Sequence, residues 1–285
     1  MTEPLAPLAR FAFDWAETLC DANHRCAPYH KMWSMVRLVE SDGALPAGQP
    51  FFARQAMECA RGGNVHVLLS GGADTGIMAL AVEEPLRKGV SVRITAVDRC
   101  RTPLEQMRLY GAAMGVPVDQ FACTLDQIPA GIDADAIFGH SILSFIPDEA
   151  RSAVFTAWAG ALRPGGRVVL SQRLTPVNDT YQRRRPPKDI EDRRQTLAAQ
   201  LDELGDLPAV ASKDELLGAA VDFWQVGIAG HDVTEAQIRD HSAAAGLIVR
   251  QVEEAPAAAS VSPFMLASQA VRRPRYEIVL ERPDN

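Results

Sequence analysis

Hydrophobic positions in the middle of the chain form short apolar runs that are separated by segments with helical spacing. The apolar runs lie at residues 65–69, 90–97, 135–138 and 167–170. The helical segments between them lie at 76–88, 102–114 and 148–162. Because strands that alternate with helices at this spacing usually form a parallel sheet covered on both faces, the pattern predicts a doubly wound, mostly parallel α/β sheet.

The same pattern returns near the C-terminus after an interruption. It predicts a helix over 234–245 and a strand over 247–252, and Gly246 between them is typical of a helix end. A connection rich in Pro, Ala and Ser leads to a last strand at 276–280. Two strands joined in this way are expected to add an antiparallel C-terminal edge to the sheet.

The N-terminal part of the chain has a helical pattern of its own. Its first large apolar residues recur at helical spacing and are Leu8, Phe11, Trp15 and Leu19. We therefore predict an N-terminal helical cap over residues 1–62.

Residues 63–285 are expected to form one domain that carries the sheet. Charged helical patterns at 188–205 and 212–223 break the alternation of strands and helices there, with a loop that contains Gly and Pro between them. They predict a helical lid inserted over about 178–230.

Composition and charge narrow the classes of partner. The net charge is -7, which argues against nucleic acid because binding phosphates requires a concentrated basic face. No apolar run approaches the roughly 20 residues of a membrane helix, so no membrane contact is expected. The first residues lack a basic segment followed by an apolar one, and a cytoplasmic location is therefore expected.

The cysteines are scattered along the chain and include no C-x-x-C pair. They are Cys20, Cys26, Cys59, Cys100 and Cys123. This pattern favours reduced thiols over a disulfide framework or a zinc site, so we predict no bound metal.

The first strand-to-helix turn is rich in small residues. It consists of Ser70, Gly71, Gly72, Ala73 and Asp74. In a doubly wound sheet, ligands bind at the carboxyl ends of the strands, and small residues let the backbone approach them closely. The next strand ends at Asp98, whose carboxylate can accept both hydroxyl hydrogens of a ribose. Alternatively, the glycines only allow tight packing and Asp98 caps the following helix.

Two further segments carry a resemblance to a known family. Residues 135–148 read DAIFGHSILSFIPD, and residues 162–170 read LRPGGRVVL. Together with the glycine turn and Asp98, over about residues 60–175 and 234–282, the chain resembles the class I S-adenosylmethionine-dependent methyltransferases. The resemblance implies a Rossmann-like fold, S-adenosylmethionine as cofactor and S-adenosylhomocysteine as product.

The resemblance also implies a set of cofactor-binding residues. They are Ser70, Gly71, Gly72, Ala73, Asp74, Asp98, Arg99, Cys123, Thr124, Leu125, His140 and Ser141. The chain departs from the family at the end of the first strand, where Leu69 stands in place of the usual acid, and Asp74 is the nearest substitute. Ala73 and Thr75 replace the second and third glycines of the usual G-x-G-x-G turn.

Candidate catalytic residues are few, because the cofactor itself activates the methyl group. His140 follows the fourth core strand and is expected near the cofactor as a general base or as a polar contact. Tyr29 and His30 in the cap are the other candidates. With Trp33, Arg37 and Arg184 they form the expected substrate site. Core packing is the alternative for Tyr29 and Trp33, and a solvated helix start is the alternative for Arg184.

These observations favour an enzyme that methylates an O, N or S atom of a small molecule. No N/D-P-P-Y/F motif follows the fourth strand, which disfavours bases of nucleic acid as acceptors. A non-catalytic S-adenosylmethionine-binding protein is the alternative. An NAD(P) oxidoreductase is a third hypothesis, although the chain lacks the G-x-G-x-x-G turn typical of that class. If the chain assembles with itself, a homodimer is expected.

Overall fold

The computed structural model describes residues 5–21, 26–39, 49–176, 180–182, 186–203, 211–226, 229–256 and 274–284. Within them the helices are α1 (Leu5–Leu19), α2 (Ala27–Val39), α3 (Gln49–Cys59), α4 (Gly76–Arg87), α5 (Arg101–Met114), α6 (Asp148–Ala161), α7 (Pro187–Glu203), α8 (Lys213–Val226) and α9 (Glu235–Ala244). The strands are β1 (Asn64–Ser70), β2 (Ser91–Asp98), β3 (Val118–Ala122), β4 (Ala134–His140), β5 (Leu162–Arg173), β6 (Thr180–Gln182), β7 (Ala229–His231), β8 (Ile248–Glu254) and β9 (Arg275–Glu281).

The main sheet has seven strands in the order β3-β2-β1-β4-β5-β9-β8. Strands β1 to β5 pair in parallel, and β9 pairs antiparallel with both β5 and β8. The chain moves outward from β1 to β3 and then returns to the other side of β1 with β4. The strand order therefore reverses between β1 and β4, and the crevice at the carboxyl ends of such strands is where ligands bind in doubly wound sheets. The predicted fold class, with its antiparallel edge, is confirmed.

Both faces of the sheet are buried, which explains the continuous apolar runs of its strands. Neighbouring residues on one strand point to opposite faces, so Leu68 and Leu69 belong to two different core clusters. Ile137 and Phe138 on β4 divide in the same way. Phe138 also packs against Phe52 of α3, with ring centroids 5.1 Å apart. Helix α3, which falls in the predicted cap range, thus packs on the sheet.

Helices from the predicted cap and lid pack against each other in a separate cluster. Met32 of α2 lies among buried residues of α7 and α8, which are Leu197, Leu201, Leu216, Leu217, Ala220 and Trp224. The short strands β6 and β7 pair antiparallel, and in the sequence β6 precedes and β7 follows the two lid helices, α7 and α8. Helix α1 packs against α2 and α5, and α2 packs against α8. The division into domains at residue 62 stays a prediction.

Two details of the sheet differ from the sequence prediction. The apolar run predicts the fifth strand at 167–170, but β5 begins at Leu162 and includes Pro164, Gly165 and Gly166. The pairing with β4 shifts register there, and Gly165 has a φ of +68°. An irregularity of the bulge type therefore accommodates these residues within the strand. The edge strand β3, with half-exposed residues throughout, has no apolar run that predicts it.

Candidate active site

Asp98 ends β2 beside the first strand-to-helix turn. Its Oδ2 accepts a hydrogen bond from the amide of Gly72 at 3.0 Å, and its Oδ1 accepts one from the amide of Cys100 at 2.7 Å. Burial raises the pKa of this carboxyl. An ionised carboxylate offers about four acceptor positions, so each oxygen retains a lone pair for a hydroxyl donor. The side chain both fixes the turn and can accept hydrogen bonds from a ligand.

The two glycines of the turn are required by the protein's own packing. Gly71 has a φ of +74°, and its amide donates to the carbonyl of Val97 at 2.8 Å. A Cβ on Gly71 would lie 2.5 Å from Cδ1 of Ile142, and a Cβ on Gly72 would lie 2.5 Å from Cε of Met107. The sequence interpretation assigned these glycines to close approach of a ligand, and the structure shows protein side chains at those positions.

Other side chains of the turn have structural partners. Ser70 is fully buried, and its Oγ accepts a hydrogen bond from Nε1 of Trp158 at 2.9 Å. Oδ1 of Asp74 accepts a hydrogen bond from the amide of Gly76 at 2.8 Å, at the start of α4. These contacts shape the turn, and the Ser70 hydroxyl faces α6 rather than the crevice.

Arg99 and Cys123 directly follow the ends of the adjacent strands β2 and β3. Strands β2 and β3 pair in a register that sets Asp98 opposite Ala122, so the residues after them leave the sheet side by side. Arg99 and Thr124 are exposed, whereas Cys123 and Leu125 are partly buried against the core. Leu125 begins a short 3-10 turn. The structure thus places these sequence-predicted residues at the same edge as Asp98.

His140 is the last residue of β4, Ser141 follows it, and two arginines lie near them. Ser141 has a φ of +56°, and its Oγ accepts a hydrogen bond from Nη2 of Arg275 at 3.0 Å. Burial, together with the nearby charges of Arg275 and Arg173, holds the pKa of His140 well below its usual value of 6.5. The imidazole is therefore neutral at pH 7. It has the protonation state that a general base needs.

Tyr29 lies at the centre of a group of aromatic rings above these strand ends. Its ring centroid is 5.9 Å from that of Trp33, 6.1 Å from Phe145 and 5.8 Å from Phe223. The four rings come from α2, from the segment after β4 and from lid helix α8. We call Tyr29, Trp33, Phe145 and Phe223 the aromatic cluster. Burial and the charges of Asp74 and Asp98 raise the pKa of Tyr29, so its phenol stays neutral.

His30 lies between the aromatic cluster and a group of thiols, and its ring centroid is 5.2 Å from that of Tyr29. Its side chain is 4% exposed, and Nδ1 lies 3.1 Å from the carbonyl oxygen of Ala73. Burial by itself lowers the pKa of His30, but hydrogen bonds with Cys100 and Cys26 outweigh it and raise the pKa. A ring that holds its proton does not favour the base role predicted for His30. Arg184 and the side chain of Arg37 lie outside the described residues.

Comparison with known proteins shows similarity in structure rather than in sequence. No protein-family model matches the chain, and no curated protein matches it significantly. A 1,6-didemethyltoxoflavin-N1-methyltransferase from Burkholderia thailandensis, solved with S-adenosylhomocysteine, matches with a TM-score of 0.56 at 15% identity, over 93% of this chain and 92% of that one. An S-adenosylmethionine-dependent methyltransferase from Clostridium acetobutylicum matches with a TM-score of 0.53 at 10% identity, over 87% and 95%.

A magnesium protoporphyrin IX methyltransferase from Synechocystis, with bound S-adenosylhomocysteine, matches with a TM-score of 0.50 at 12% identity, over 88% of this chain and 93% of that one. The chain has the class I methyltransferase fold. The Rossmann-like fold that the sequence motifs imply is therefore confirmed. Among the described residues, no helix has both the length and the apolar character needed to cross a bilayer.

Within this methyltransferase fold, the departure at Leu69 has a clear structural basis. Leu69 is fully buried in the core on one face of the sheet, so it presents no polar group to the crevice. Asp74, the nearest substitute, is five residues further along and binds the amide of Gly76. The polar groups at the carboxyl edge of β1 are consequently those of the turn backbone.

Several residues of the site were missed by sequence reasoning. Phe145 and Phe223 complete the aromatic cluster, and Arg275 reaches Ser141 from β9. The aromatic cluster joins three distant segments, and no spacing in the sequence connects them. Phe145 is the exception, because it lies within the 135–148 segment that carries the family resemblance, directly after β4.

Proposed function

We propose that this chain transfers a methyl group from S-adenosylmethionine to an O, N or S atom of a small molecule. The observation that carries the proposal is the placement of Asp98 at the end of β2, beside the turn after β1, in a methyltransferase fold. A carboxylate there with a lone pair remaining on each oxygen is suited to two ribose hydroxyls. That two neighbours of this fold hold S-adenosylhomocysteine supports the choice of cofactor.

The donor set fits an adenosine-bearing sulfonium. Asp98 would hold the ribose, while Arg99 and Leu125 would flank the adenine at the ends of β2 and β3. His140 and Ser141 at the end of β4 would lie toward the methionine end. When bound, the cofactor supplies an activated methyl group on a positively charged sulfur. The protein must then orient the acceptor and exclude water.

The aromatic cluster suits an acceptor with a flat, apolar part. Tyr29 and Phe223 offer ring faces and edges between the cap and the lid, where a planar molecule can stack. Phe145 is 43% exposed, so part of its ring is accessible for a contact with a ligand. The cluster adjoins Asp74 and Asp98, so a stacked acceptor would lie next to the cofactor site.

His140 is the proposed base for acceptors that carry a proton on the attacking atom. Its neutral imidazole can take that proton, because burial, together with the charges of Arg275 and Arg173, holds the pKa of His140 well below its usual value. An acceptor that attacks without losing a proton needs His140 only as a polar contact. Homodimerisation, the cytoplasmic location and the lack of nucleic-acid partners stay predictions.

The experiment has two stages. Calorimetric titration first compares S-adenosylhomocysteine with NAD, and we expect a single site for the former and no heat from the latter. Detection of S-adenosylhomocysteine release from S-adenosylmethionine then screens a panel of planar hydroxy-, amino- and thiol-containing compounds. We expect Phe223→Ala to raise KM for an accepted compound and to leave the affinity for S-adenosylhomocysteine unchanged. Binding of NAD in preference to S-adenosylhomocysteine would contradict the proposal.

A further inference from the structure

Four potential metal ligands converge between the cap and the start of α5. Cys20 follows α1, Cys26 precedes α2, His30 lies in the first turn of α2, and Cys100 is the N-cap of α5. One ligand atom from each lies within 4.8 Å of every other. Sγ of Cys100 is 3.2 Å from Sγ of Cys20 and 3.7 Å from Sγ of Cys26. We call these residues the Cys3His cluster.

The spacing of the cluster is close to that of a tetrahedral zinc site. Zinc binds thiolate sulfur at about 2.3 Å and imidazole nitrogen at about 2.0–2.1 Å, so the sulfur–sulfur edges of such a tetrahedron are about 3.8 Å long and its sulfur–nitrogen edges about 3.5 Å. The Cys26 and Cys100 sulfurs are 3.7 Å apart, close to a sulfur–sulfur edge, whereas those of Cys20 and Cys100 are closer together, at 3.2 Å. Because all four ligand atoms lie within 4.8 Å of one another, shifts of about 1 Å would bring them to the corners of such a tetrahedron.

His30 is already oriented as a metal ligand. Its Nδ1 lies 3.1 Å from the carbonyl oxygen of Ala73. A metal-binding histidine commonly donates its second ring N–H to a backbone carbonyl, which fixes the tautomer and the direction of the ring. With Nδ1–H donating to Ala73, Nε2 is left for the ion, which would displace the proton that the ring holds in the metal-free protein.

Two of the three cysteines lie at helix N-termini, Cys26 directly before α2 and Cys100 directly before α5. Cys20, Cys100 and His30 are buried, whereas Cys26 is partly exposed. An ion can therefore reach the cluster from the side of Cys26.

We propose that Cys20, Cys26, His30 and Cys100 bind one Zn²⁺ ion as a structural Cys3His site. All four coordination positions are filled by protein, so no position remains for water or substrate, which is typical of structural zinc. The ion would join α1 and α2 to α5. This proposal replaces the sequence expectation that the cysteines are scattered thiols and no metal is bound.

The site lies directly behind the cofactor turn. His30 contacts the carbonyl of Ala73, and the amide of Cys100 donates to Asp98. Two of the four ligands are thus one hydrogen bond away from the turn and from the proposed ribose-binding carboxylate. Zinc binding would therefore hold the cap against the turn and keep Asp98 in position.

Metal content tests the proposal independently of methyl transfer. Full-length protein purified without chelators is analysed by mass spectrometry for zinc, beside Cys100→Ser and Cys59→Ala. Cys59 is also a buried cysteine, but it lies at the end of α3 outside the cluster. We expect about one zinc per chain in the wild type and in Cys59→Ala, and at least about a tenfold lower content in Cys100→Ser. Equal loss in both variants would overturn the proposal.

Cobalt provides a readout that does not require a variant to fold. Wild-type protein freed of metal under reducing conditions is titrated with Co²⁺. We expect the thiolate charge-transfer bands and the intense visible bands of tetrahedral cobalt, and their loss when Zn²⁺ displaces the Co²⁺. A spectrum of octahedral, oxygen-bound cobalt would overturn the proposal. So would a disulfide between Cys20 and Cys100 in protein kept under reducing conditions.

Discussion

Trp158 and Ser70 are joined by a fully buried hydrogen bond, in which Nε1 of the indole donates to the serine Oγ at 2.9 Å. Trp158 lies on α6, and Ser70 is the last residue of β1. The bond therefore fixes α6 against the sheet directly before the glycine-rich turn that follows β1. It satisfies the two polar atoms that this contact buries, which is a requirement for a stable core.

Replacing Trp158 with Phe should lower the free energy of unfolding by about 2–4 kcal/mol, because it leaves the Ser70 hydroxyl unsatisfied and opens space in the core. Urea unfolding of Trp158→Phe, Ser70→Ala and the double variant measures the coupling, which we expect to be about 1 kcal/mol or more. Trp15→Phe is the control, since Trp15 is 51% exposed. A cost for Trp158→Phe no larger than that for Trp15→Phe would refute the prediction.

Gly71→Ala should destabilise the protein by about 1–3 kcal/mol, because a Cβ there combines a positive φ with a contact at 2.5 Å from Ile142. Gly89→Ala is a matched control. Gly89 has a φ of +76°, but a Cβ on it would have no atom within 4 Å. Thermal or urea unfolding of both variants separates backbone strain from the contact with Ile142. Equal costs would show that Ile142 does not cover the turn.

His140 should make stability depend on pH. Its pKa is lower in the folded protein than its unfolded value of 6.5, so below that pH the unfolded chain takes up a proton that the folded protein does not. The stabilisation that the neutral imidazole of His140 contributes is fully present above pH 6.5. As the pH falls toward the folded pKa, the free energy of unfolding decreases by up to about 1.4 kcal/mol per pH unit. Urea unfolding at several pH values should show a shallower dependence for His140→Asn than for the wild type. Parallel curves would contradict the assignment.

Arg151 should be essential for stability, because its guanidinium is buried and donates to backbone carbonyls. Nη2 donates to the carbonyl of Asp232 at 2.9 Å, and Nε donates to that of Ile146 at 3.1 Å. Arg151→Met should cost about 3 kcal/mol, since both carbonyls lose their donor. Arg239→Met removes only an exposed ion pair with Glu235 and should cost less than about 1 kcal/mol. Similar unfolding midpoints for Arg151→Met and Arg239→Met would contradict the prediction.

Much of the fold could be predicted from the sequence because its strands are buried on both faces. The runs at 65–69 and 90–97 match β1 and β2 to within a residue or so. Strand β3 was missed because it lies at the edge of the sheet, where exposure allows Asp119 and Gln120. Strands β6 and β7 are three residues long, too short for any periodicity.

The candidate site was predicted less completely, because its contacts join distant parts of the chain. Asp98 could be found from its position after an apolar run. The Cys3His cluster could not, since Cys100 is 80 residues from Cys20 and reaches it only through the packing of α1 on α5. The spacing C-x5-C-x3-H from Cys20 to His30 was the one local signal. His30 was interpreted as a base because it lies beside Tyr29 and Trp33 in the predicted cap.

Calorimetric titration of S-adenosylhomocysteine into the wild type and Asp98→Asn tests most directly whether this carboxylate holds the ribose of the cofactor. We expect one binding site in the wild type and at least about tenfold weaker binding in Asp98→Asn, because charge-assisted hydrogen bonds are lost. Asp119→Asn, in an exposed ion pair with Arg93, should bind as the wild type does. Because burial raises the pKa of Asp98, wild-type affinity should fall in acid at a higher pH than for an ordinary aspartate. Unchanged affinity in folded Asp98→Asn, or no binding to the wild type, would contradict the proposed site.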